Sequence, residues 1–244
     1  MPTRKPERCV VCNSGYVAAY GAFANRFGTA IDLYFCMECE SFYSPFSKPN
    51  PIASSVAWHQ SVEERNLKAA GGLLDNLAEH GIRPTHILDI GAGTGTLLRK
   101  ARERGISGVG FDLDKDSIEF GRMTYGLDLR AEEWTPDADA GNVDLILCIM
   151  VLEHIHYPRG LMNALMKGAK RYKCPLFVSV PFFDRYWWPH LLTDNSDPKH
   201  PLNQPHVHVS HFSRQGMIMA FSQLGASEVK PIQPPLWSGM LIYP

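Results

Sequence analysis

Three glycines in five residues, Gly91, Gly93 and Gly95, separate a short apolar segment from a helical one. The apolar segment, residues 86–90, has the length and composition of a buried strand, and residues 96–104 carry apolar side chains at helical spacing. A strand that enters a helix across glycines lets a ligand approach the backbone closely and meet unpaired amide groups at the helix N-terminus. The feature therefore predicts an α/β fold with a ligand site where this strand ends.

The spacing of these glycines separates two classes of nucleotide-binding protein. Nicotinamide and flavin dehydrogenases carry GxGxxG, whereas this chain reads GxGxG and has Thr96 where the third dehydrogenase glycine would stand. With Asp89 two residues before the first glycine, the segment resembles motif I of the class I S-adenosylmethionine-dependent methyltransferases, DxGxGxG. The resemblance implies that Asp89, Gly91, Gly93 and Gly95 contribute to a site for S-adenosylmethionine.

An acidic residue ends the second predicted strand, residues 108–112. This residue, Asp112, lies 23 residues after Asp89. In Rossmann folds that bind nucleosides, an acid at this place accepts hydrogen bonds from the ribose hydroxyls. The alternative role, capping the helix predicted at residues 115–125, suits Asp114 better. Asp112 and its neighbour Leu113 are therefore predicted to contact the cofactor.

Two further strands complete the predicted cofactor site. The third, residues 127–130, leads to Glu132, and the resemblance implies that an acidic residue here contacts the adenine amino group, with Glu133 as the alternative. The fourth, residues 143–148, is the near-continuous apolar run of a buried parallel strand. It leads through Ile149, the last predicted cofactor contact, into a segment that resembles the family's VLEH.

The order of these elements predicts the whole fold. The resemblance covers residues 85–181 and implies a Rossmann-like, seven-stranded, mostly parallel sheet of order 3-2-1-4-5-7-6, with the final strand antiparallel. A helical stretch at residues 56–80, which Gly71-Gly72 could divide, precedes the sheet. The predicted organisation is a small zinc-ribbon module at 1–50, a linker and N-terminal helices at 51–84, and the S-adenosylmethionine-binding domain at 85–244.

Two CxxC pairs mark the N-terminal module. Cys9 and Cys12 are separated by 23 residues from Cys36 and Cys39, a spacing typical of zinc ribbons with four thiolate ligands. The intervening segment, residues 16–35, indicates a hairpin. Two disulfides are the alternative, but a reducing compartment disfavours them. Because four thiolates leave no open position on the metal, we expect a structural Zn²⁺ rather than a catalytic one.

The fifth predicted strand comprises residues 175–181, and the segment that follows it is rich in histidine. His206 and His208, together with His154 near the end of the fourth strand, are the predicted catalytic residues, since histidine is the usual base near neutral pH. A second metal held by His206, His208 and His211 is an alternative. The aromatic residues 186–188 of the same segment could stack on a planar acceptor or fill the segment's own core.

Composition limits the substrate and the compartment. With 24 Lys and Arg against 25 Asp and Glu, the chain lacks the basic excess expected of a protein that binds a nucleic-acid backbone. No apolar signal-peptide core follows the N-terminus, and no apolar run is long enough to span a bilayer. We therefore expect a cytoplasmic methyltransferase that acts on an oxygen, nitrogen or carbon atom of a small molecule, without a nucleic-acid or membrane partner. The alternatives are a nucleic-acid methyltransferase that grips its substrate with the zinc ribbon, and a non-catalytic S-adenosylmethionine-binding protein.

Overall fold

The computed structural model describes residues 6–24, 30–46, 55–182, 208–234 and 237–244. These residues form two compact units. The first is drawn from the described residues within 1–52, 152–162 and 181–224, and the second from those within 53–151, 163–180 and 225–244. The domain limits expected after residues 50 and 84 stay a prediction.

The secondary structure of the described residues alternates between strands and helices along most of the chain. In chain order the elements are β1 (Val17–Ala24), β2 (Ala30–Cys36), β3 (Phe42–Tyr43), α1 (Val56–Ser61), α2 (Glu63–Glu79), β4 (His86–Ile90), α3 (Thr96–Arg102), β5 (Ser107–Phe111), α4 (Lys115–Tyr125), β6 (Asp128–Arg130), β7 (Leu145–Ile149), a 3₁₀ turn (Leu152–His154), α5 (Arg159–Tyr172), β8 (Leu176–Ser179), β9 (Ser210–His211), α6 (Arg214–Gln223), β10 (Glu228–Ile232) and β11 (Gly239–Tyr243). None of the helices in the described ranges combines the length and apolarity that a bilayer span requires.

A seven-stranded sheet forms the core of the second unit. Its strand order is β10-β11-β8-β7-β4-β5-β6, which confirms the order expected from the sequence. β4 pairs in parallel with β5 on one side and β7 on the other, so that Leu88 faces Val109 and Ile146. β11 runs antiparallel to both of its neighbours. The carboxyl ends of the parallel strands therefore meet at one edge of the sheet.

Burial explains why the central strands have continuous apolar runs. Ile87 and Leu88 of β4 and Leu147 of β7 are fully buried, as expected for parallel strands covered on both faces. Helices α2 and α3 contribute the leucines and alanines of one covering layer to the same cluster. β4 is therefore a buried strand, with a neighbouring strand on each side and apolar helix residues packed against it.

The helical stretch before the sheet divides at Val62 and not at Gly71-Gly72. Gly71 lies in the middle of α2, is buried, and accepts a hydrogen bond from Arg104 Nη2 at 3.1 Å. A Cβ at Gly71 would lie only 3.4 Å from the side chains of Arg104 and Lys100. The Gly71 position thus faces the ends of two long side chains from the α3 region, and the glycine continues the helix without breaking it.

An antiparallel sheet of order β1-β2-β3-β9 lies in the first unit. The pairing of β1 with β2 confirms the expected hairpin. β9 pairs with β3, placing His211 opposite Phe42 and Ser210 opposite Tyr43. The sequence shows no strand pattern at Ser210–His211, because a strand of two residues is too short to show alternation.

Two helix N-termini carry side-chain caps, and the first of them is the cap that the sequence predicts. The Asp114 side chain accepts hydrogen bonds from the amides of Asp116 and Ser117 at the start of α4. Ser213 accepts one from the Gly216 amide, at 2.8 Å, at the start of α6. Local hydrogen bonds of this kind set where each helix begins.

Gly121 of α4 permits the closest approach of a helix to the glycine loop. A Cβ at this position would lie 2.4 Å from the carbonyl oxygen of Thr94 and 2.5 Å from Leu129 Cδ1. We expect Gly121→Ala to destabilise the protein by about 1–3 kcal/mol, because the helix must shift to relieve the overlap. Urea unfolding followed by far-UV circular dichroism measures the change.

Gly160→Ala is the matched control, since nothing lies within 4 Å of the Cβ position in α5. This variant should leave the unfolding midpoint unchanged or raise it slightly, because alanine favours helix over glycine. Equal midpoints for the two variants would contradict the packing described for Gly121.

Candidate cofactor and acceptor sites

The predicted cofactor residues gather at the carboxyl edge of the seven-stranded sheet. Asp89 lies near the end of β4, Asp112 directly follows β5, and Ile149 ends β7. Glu132 follows β6 by two residues. Because β4, β5, β6 and β7 are parallel and adjacent, their carboxyl ends lie side by side, which is where ligands bind in open α/β sheets.

The glycine loop takes backbone conformations that other residues rarely adopt. Gly91 has φ 80° and Gly93 has φ 53°. A Cβ at Gly91 would lie 2.2 Å from Val151 Cγ2, and one at Gly93 would lie 2.5 Å from His59 Cε1. Glycine is therefore required here both for the turn and for the close approach of neighbouring groups.

Backbone and carboxylate hydrogen bonds tie the loop to β5. The amides of Gly91 and Ala92 donate to the carbonyl oxygen of Phe111, at 2.8 and 3.1 Å. The amide of Gly93 donates to Asp112 Oδ2 at 2.8 Å, and Asp112 Oδ1 accepts from the Asp114 amide at 2.9 Å. Asp112 thus fixes the loop, and each of its oxygens keeps a lone pair that a ligand hydroxyl could use.

Asp89 lies beneath the loop in a buried position, with 4% of its surface exposed. Burial, with a smaller contribution from the negative charge of Asp112, raises the pKa of this carboxyl to about 7. Desolvation disfavours the charged form of a carboxyl, which is why the direction is upward. A group of this kind can carry a proton near neutral pH and then donate a hydrogen bond.

The other three predicted contacts differ in their exposure. Leu113 is 72% exposed, so an apolar side chain stands at the surface directly beside Asp112. Glu132 is also exposed, whereas Ile149 is half-buried against the core. The structure thus brings all eight predicted residues to one edge, with Leu113 and Glu132 at its periphery.

Two residues that contact the loop escaped the sequence analysis. His59 of α1 lies against Gly93, and Val151 lies against Gly91. Burial lowers the pKa of His59, against an opposing effect from the carboxylates of Asp112 and Asp114. His59 lies in no motif, and Val151 opens the VLEH segment without any sign of its contact, because both reach the loop from segments distant in sequence from the residues they touch.

The four cysteines of the two CxxC pairs converge on one point. Their sulfurs lie within 4.8 Å of one another and are buried. The Cys9–Cys39 and Cys12–Cys36 sulfur pairs are 3.7 and 3.6 Å apart. A tetrahedral zinc with bonds of about 2.3 Å would hold its sulfurs roughly 3.8 Å apart, so the cluster fits such an ion without rearrangement.

The same distances argue against the disulfide alternative. All six cysteines are free thiols, and the sulfurs stand well beyond the roughly 2.05 Å of a disulfide bond. Thiols this close titrate together: hydrogen bonding with Cys12 lowers the pKa of Cys36 and raises that of Cys9. The cluster has the donor set of a closed, four-thiolate metal site.

Two of the three histidines predicted to be catalytic lie together in the first unit. The rings of His154 and His208 are 5.0 Å apart with an interplanar angle of 66°. His206, the third, lies outside the described residues, as do the aromatic residues 186–188. The alternative second metal at His206, His208 and His211 includes this residue and therefore stays a prediction.

Glu153 is the polar residue beside these histidines that the sequence analysis did not single out. Only 1% of it is exposed, and burial raises the pKa of its carboxyl to about 8. Its Oε1 lies 4.0 Å from His154 Nε2. The VLEH segment therefore combines a buried acid with an accessible histidine.

His211 lies three residues after His208 in sequence and is also buried. Burial lowers the pKa of its imidazole to about 4.

Comparisons with known proteins agree with this arrangement. The model of the methyltransferase domain family matches residues 62–229. A ubiquinone biosynthesis O-methyltransferase from Erwinia tasmaniensis is 28% identical over 106 residues, which cover 40% of this chain and 44% of that protein. The chain thus matches less than half the length of this curated relative.

Solved structures share the fold at low sequence identity. A candidate O-methyltransferase from Nostoc punctiforme has a TM-score of 0.58 at 16% identity, covering 82% of this chain and 64% of that one. Human N-acetylserotonin methyltransferase, solved in complex with SAM, has a TM-score of 0.53 at 15% identity, covering 76% of this chain and 54% of that one. Because the family model matches more than half of the residues, the chain belongs to the methyltransferase domain family.

Proposed function

We propose that the protein transfers the methyl group of S-adenosylmethionine to a small-molecule acceptor. The observation that carries this proposal is the glycine loop after β4. Its glycines have positive φ angles, and the amide of Gly93 donates a hydrogen bond to Asp112. Backbone amides and a carboxylate at this edge suit a nucleoside with a charged tail. Membership of the methyltransferase family supports the same reading.

Each predicted residue has a proposed role in holding the cofactor. Asp112 accepts hydrogen bonds from the ribose hydroxyls, and the loop of Gly91, Gly93 and Gly95 lies against the methionine part together with Asp89. The remaining proposed contacts lie around the adenine: Leu113, Glu132 and Ile149. S-adenosylmethionine supplies an electrophilic methyl group on a sulfonium, and the residues named here bind and orient it.

Methyl transfer is an in-line displacement, in which the bond from the acceptor to carbon forms as the carbon–sulfur bond breaks. The enzyme mainly aligns acceptor, methyl carbon and sulfur, an effect worth several kcal/mol, roughly 7–11 in well-oriented systems. A hydroxyl acceptor must also lose its proton. We propose that His154, His206 and His208 act on the acceptor side of the reaction.

An oxygen atom is the first acceptor to test. The Erwinia relative is named an O-methyltransferase, and so is the Nostoc candidate. These names describe those proteins, and we extend them to this chain as a proposal, with nitrogen and carbon acceptors as alternatives.

We also propose that the protein binds a structural zinc and that it resides in a reducing compartment. The four buried, unbridged thiols Cys9, Cys12, Cys36 and Cys39 match the donor set and spacing of a structural zinc. Free thiols throughout the chain suit the cytoplasm, where disulfides are rare. We retain residues 1–50, 51–84 and 85–244 as the proposed module, linker with helices, and cofactor domain.

Turnover tests the proposed function directly. Purified protein incubated with S-adenosylmethionine and a panel of phenols, aliphatic alcohols, amines and activated carbon acids should form S-adenosylhomocysteine with at least one acceptor. Cofactor affinity should be measured beside it by calorimetry. Tight cofactor binding without turnover on the panel would favour the non-catalytic reading, and methylation of RNA or DNA would contradict the small-molecule assignment.

Asp112→Asn should weaken the binding of S-adenosylmethionine by at least about 1 kcal/mol, or roughly fivefold. The substitution removes the charge that accepts from the Gly93 amide and the ribose, and hydrogen bonds to charged groups are worth more than neutral ones. The control is Glu119→Gln, the same change at an exposed position of α4. Calorimetry that gives Asp112→Asn the affinity of Glu119→Gln would remove Asp112 from the site.

Protein purified under reducing conditions should contain one thiolate-bound zinc per chain. A thiol-specific mercurial should release it, because the proposed ligands are all cysteines. Cys36→Ser should lose this zinc, whereas Cys148→Ser, a buried cysteine outside the cluster, should keep it. Zinc-free wild-type protein, or equal zinc content in the two variants, would contradict the four-thiolate site.

A further inference from the structure

We propose that Glu153, His154 and His208 form a second metal site, which binds one divalent transition-metal ion through a carboxylate oxygen and two imidazole nitrogens. One ligand atom from each residue lies within 4.8 Å of the other two. The site shares no residue with the four-cysteine cluster. Its metal binding does not depend on the proposed methyl transfer.

The burial of Glu153 is the observation that points to a ligand. Neither carboxylate oxygen has a hydrogen-bond partner on another described residue. The contact from Oε1 to His154 Nε2, at 4.0 Å, is too long for a hydrogen bond. Burying a carboxylate without a partner is costly, and a cation between it and the two histidines would supply the missing partner.

The two histidine rings are arranged for coordination and are reachable from solvent. They meet edge to face, with ring centroids 5.0 Å apart, so they do not stack on one another. Both side chains are half-buried, in contrast to Glu153. Metal bonds of about 2.1 Å would place the donor atoms about 3.4 Å from each other. Small rotations of the side chains can shorten the present separations, which are within 4.8 Å, to that distance.

One backbone and one side-chain hydrogen bond hold the two donor segments together before any ion binds. The Val209 amide donates to the carbonyl oxygen of Glu153 at 2.8 Å, and Ser210 Oγ donates to that of Ile155 at 2.9 Å. Ser210 and His211 in turn pair with β3. The 3₁₀ turn and the chain around His208 are thus fixed in register, which lowers the entropic cost of assembling the ligands.

The donor set selects the kind of ion. Imidazole with carboxylate suits zinc, iron, nickel or copper, whereas magnesium and calcium prefer oxygen ligands alone. Three protein ligands leave a coordination position open to an oxygen of a small molecule. An imidazole nitrogen that holds a metal cannot also take a proton, so His154 and His208 could not act as bases through these nitrogens while the ion is bound.

Cobalt titration of the full chain tests the proposal, because cobalt reports its ligands by absorbance. Thiolate-bound cobalt shows intense sulfur-to-metal charge transfer, whereas cobalt bound by nitrogen and oxygen shows only weak d–d bands. We expect two cobalt ions per chain, one of each kind. Glu153→Gln, His154→Gln and His208→Gln should each weaken the second ion at least about tenfold and leave the sulfur band unchanged.

His156→Gln is the matched control, since His156 lies two residues from His154 and outside the cluster. It should bind both ions as the wild type does. The sulfur band and far-UV circular dichroism show whether each variant is folded. If Glu153→Gln unfolds, the half-buried His154 and His208 variants decide the question.

Two outcomes would overturn the proposal. One is a wild-type chain that takes up only thiolate-bound cobalt. The other is folded His154 and His208 variants that keep the second ion with wild-type affinity. A chain that binds both ions but methylates no acceptor would leave the metal site intact and would count against the proposed function alone.

Discussion

The hydrogen bond from the Gly93 amide to the carboxylate of Asp112 joins the ends of two neighbouring parallel strands. With the two amides that donate to the Phe111 carbonyl, it shapes the glycine loop into its left-handed bend. The loop can adopt this bend because its glycines lack the Cβ atoms that would meet Val151 and His59. A single carboxylate therefore shapes the loop at the edge of the sheet, and it is the group that we propose to bind the cofactor's ribose.

In the first unit the thiolate cluster and the histidines belong to one connected structure. Ser213, which caps α6, donates a hydrogen bond to the carbonyl of Cys39, and its amide donates to Ser41 Oγ. β9 then extends the sheet of the cysteine module through its pairing with β3. A metal at the four thiolates would thus stabilise the chain segment that carries His208.

The sequence predicts those elements whose signals are local. β4 and α4 have the expected bounds, because an apolar run, glycines and the Asp114 cap mark their limits. Elements that depend on distant partners were missed. β9 exists through its pairing with β3, and Gly71 lies inside α2, where its carbonyl accepts a hydrogen bond from Arg104. The same holds for the sites, since the isolation of the Glu153 carboxylate is visible only in three dimensions.

The central claim is that a nucleoside binds where β4 and β5 end. A crystal structure with S-adenosylhomocysteine tests it most directly. The ribose hydroxyls should lie within hydrogen-bond distance of Asp112, and the amino-acid part should lie along the loop of Gly91, Gly93 and Gly95. A complex with the ligand bound elsewhere, or crystals that take up no ligand while the loop keeps its present conformation, would contradict it.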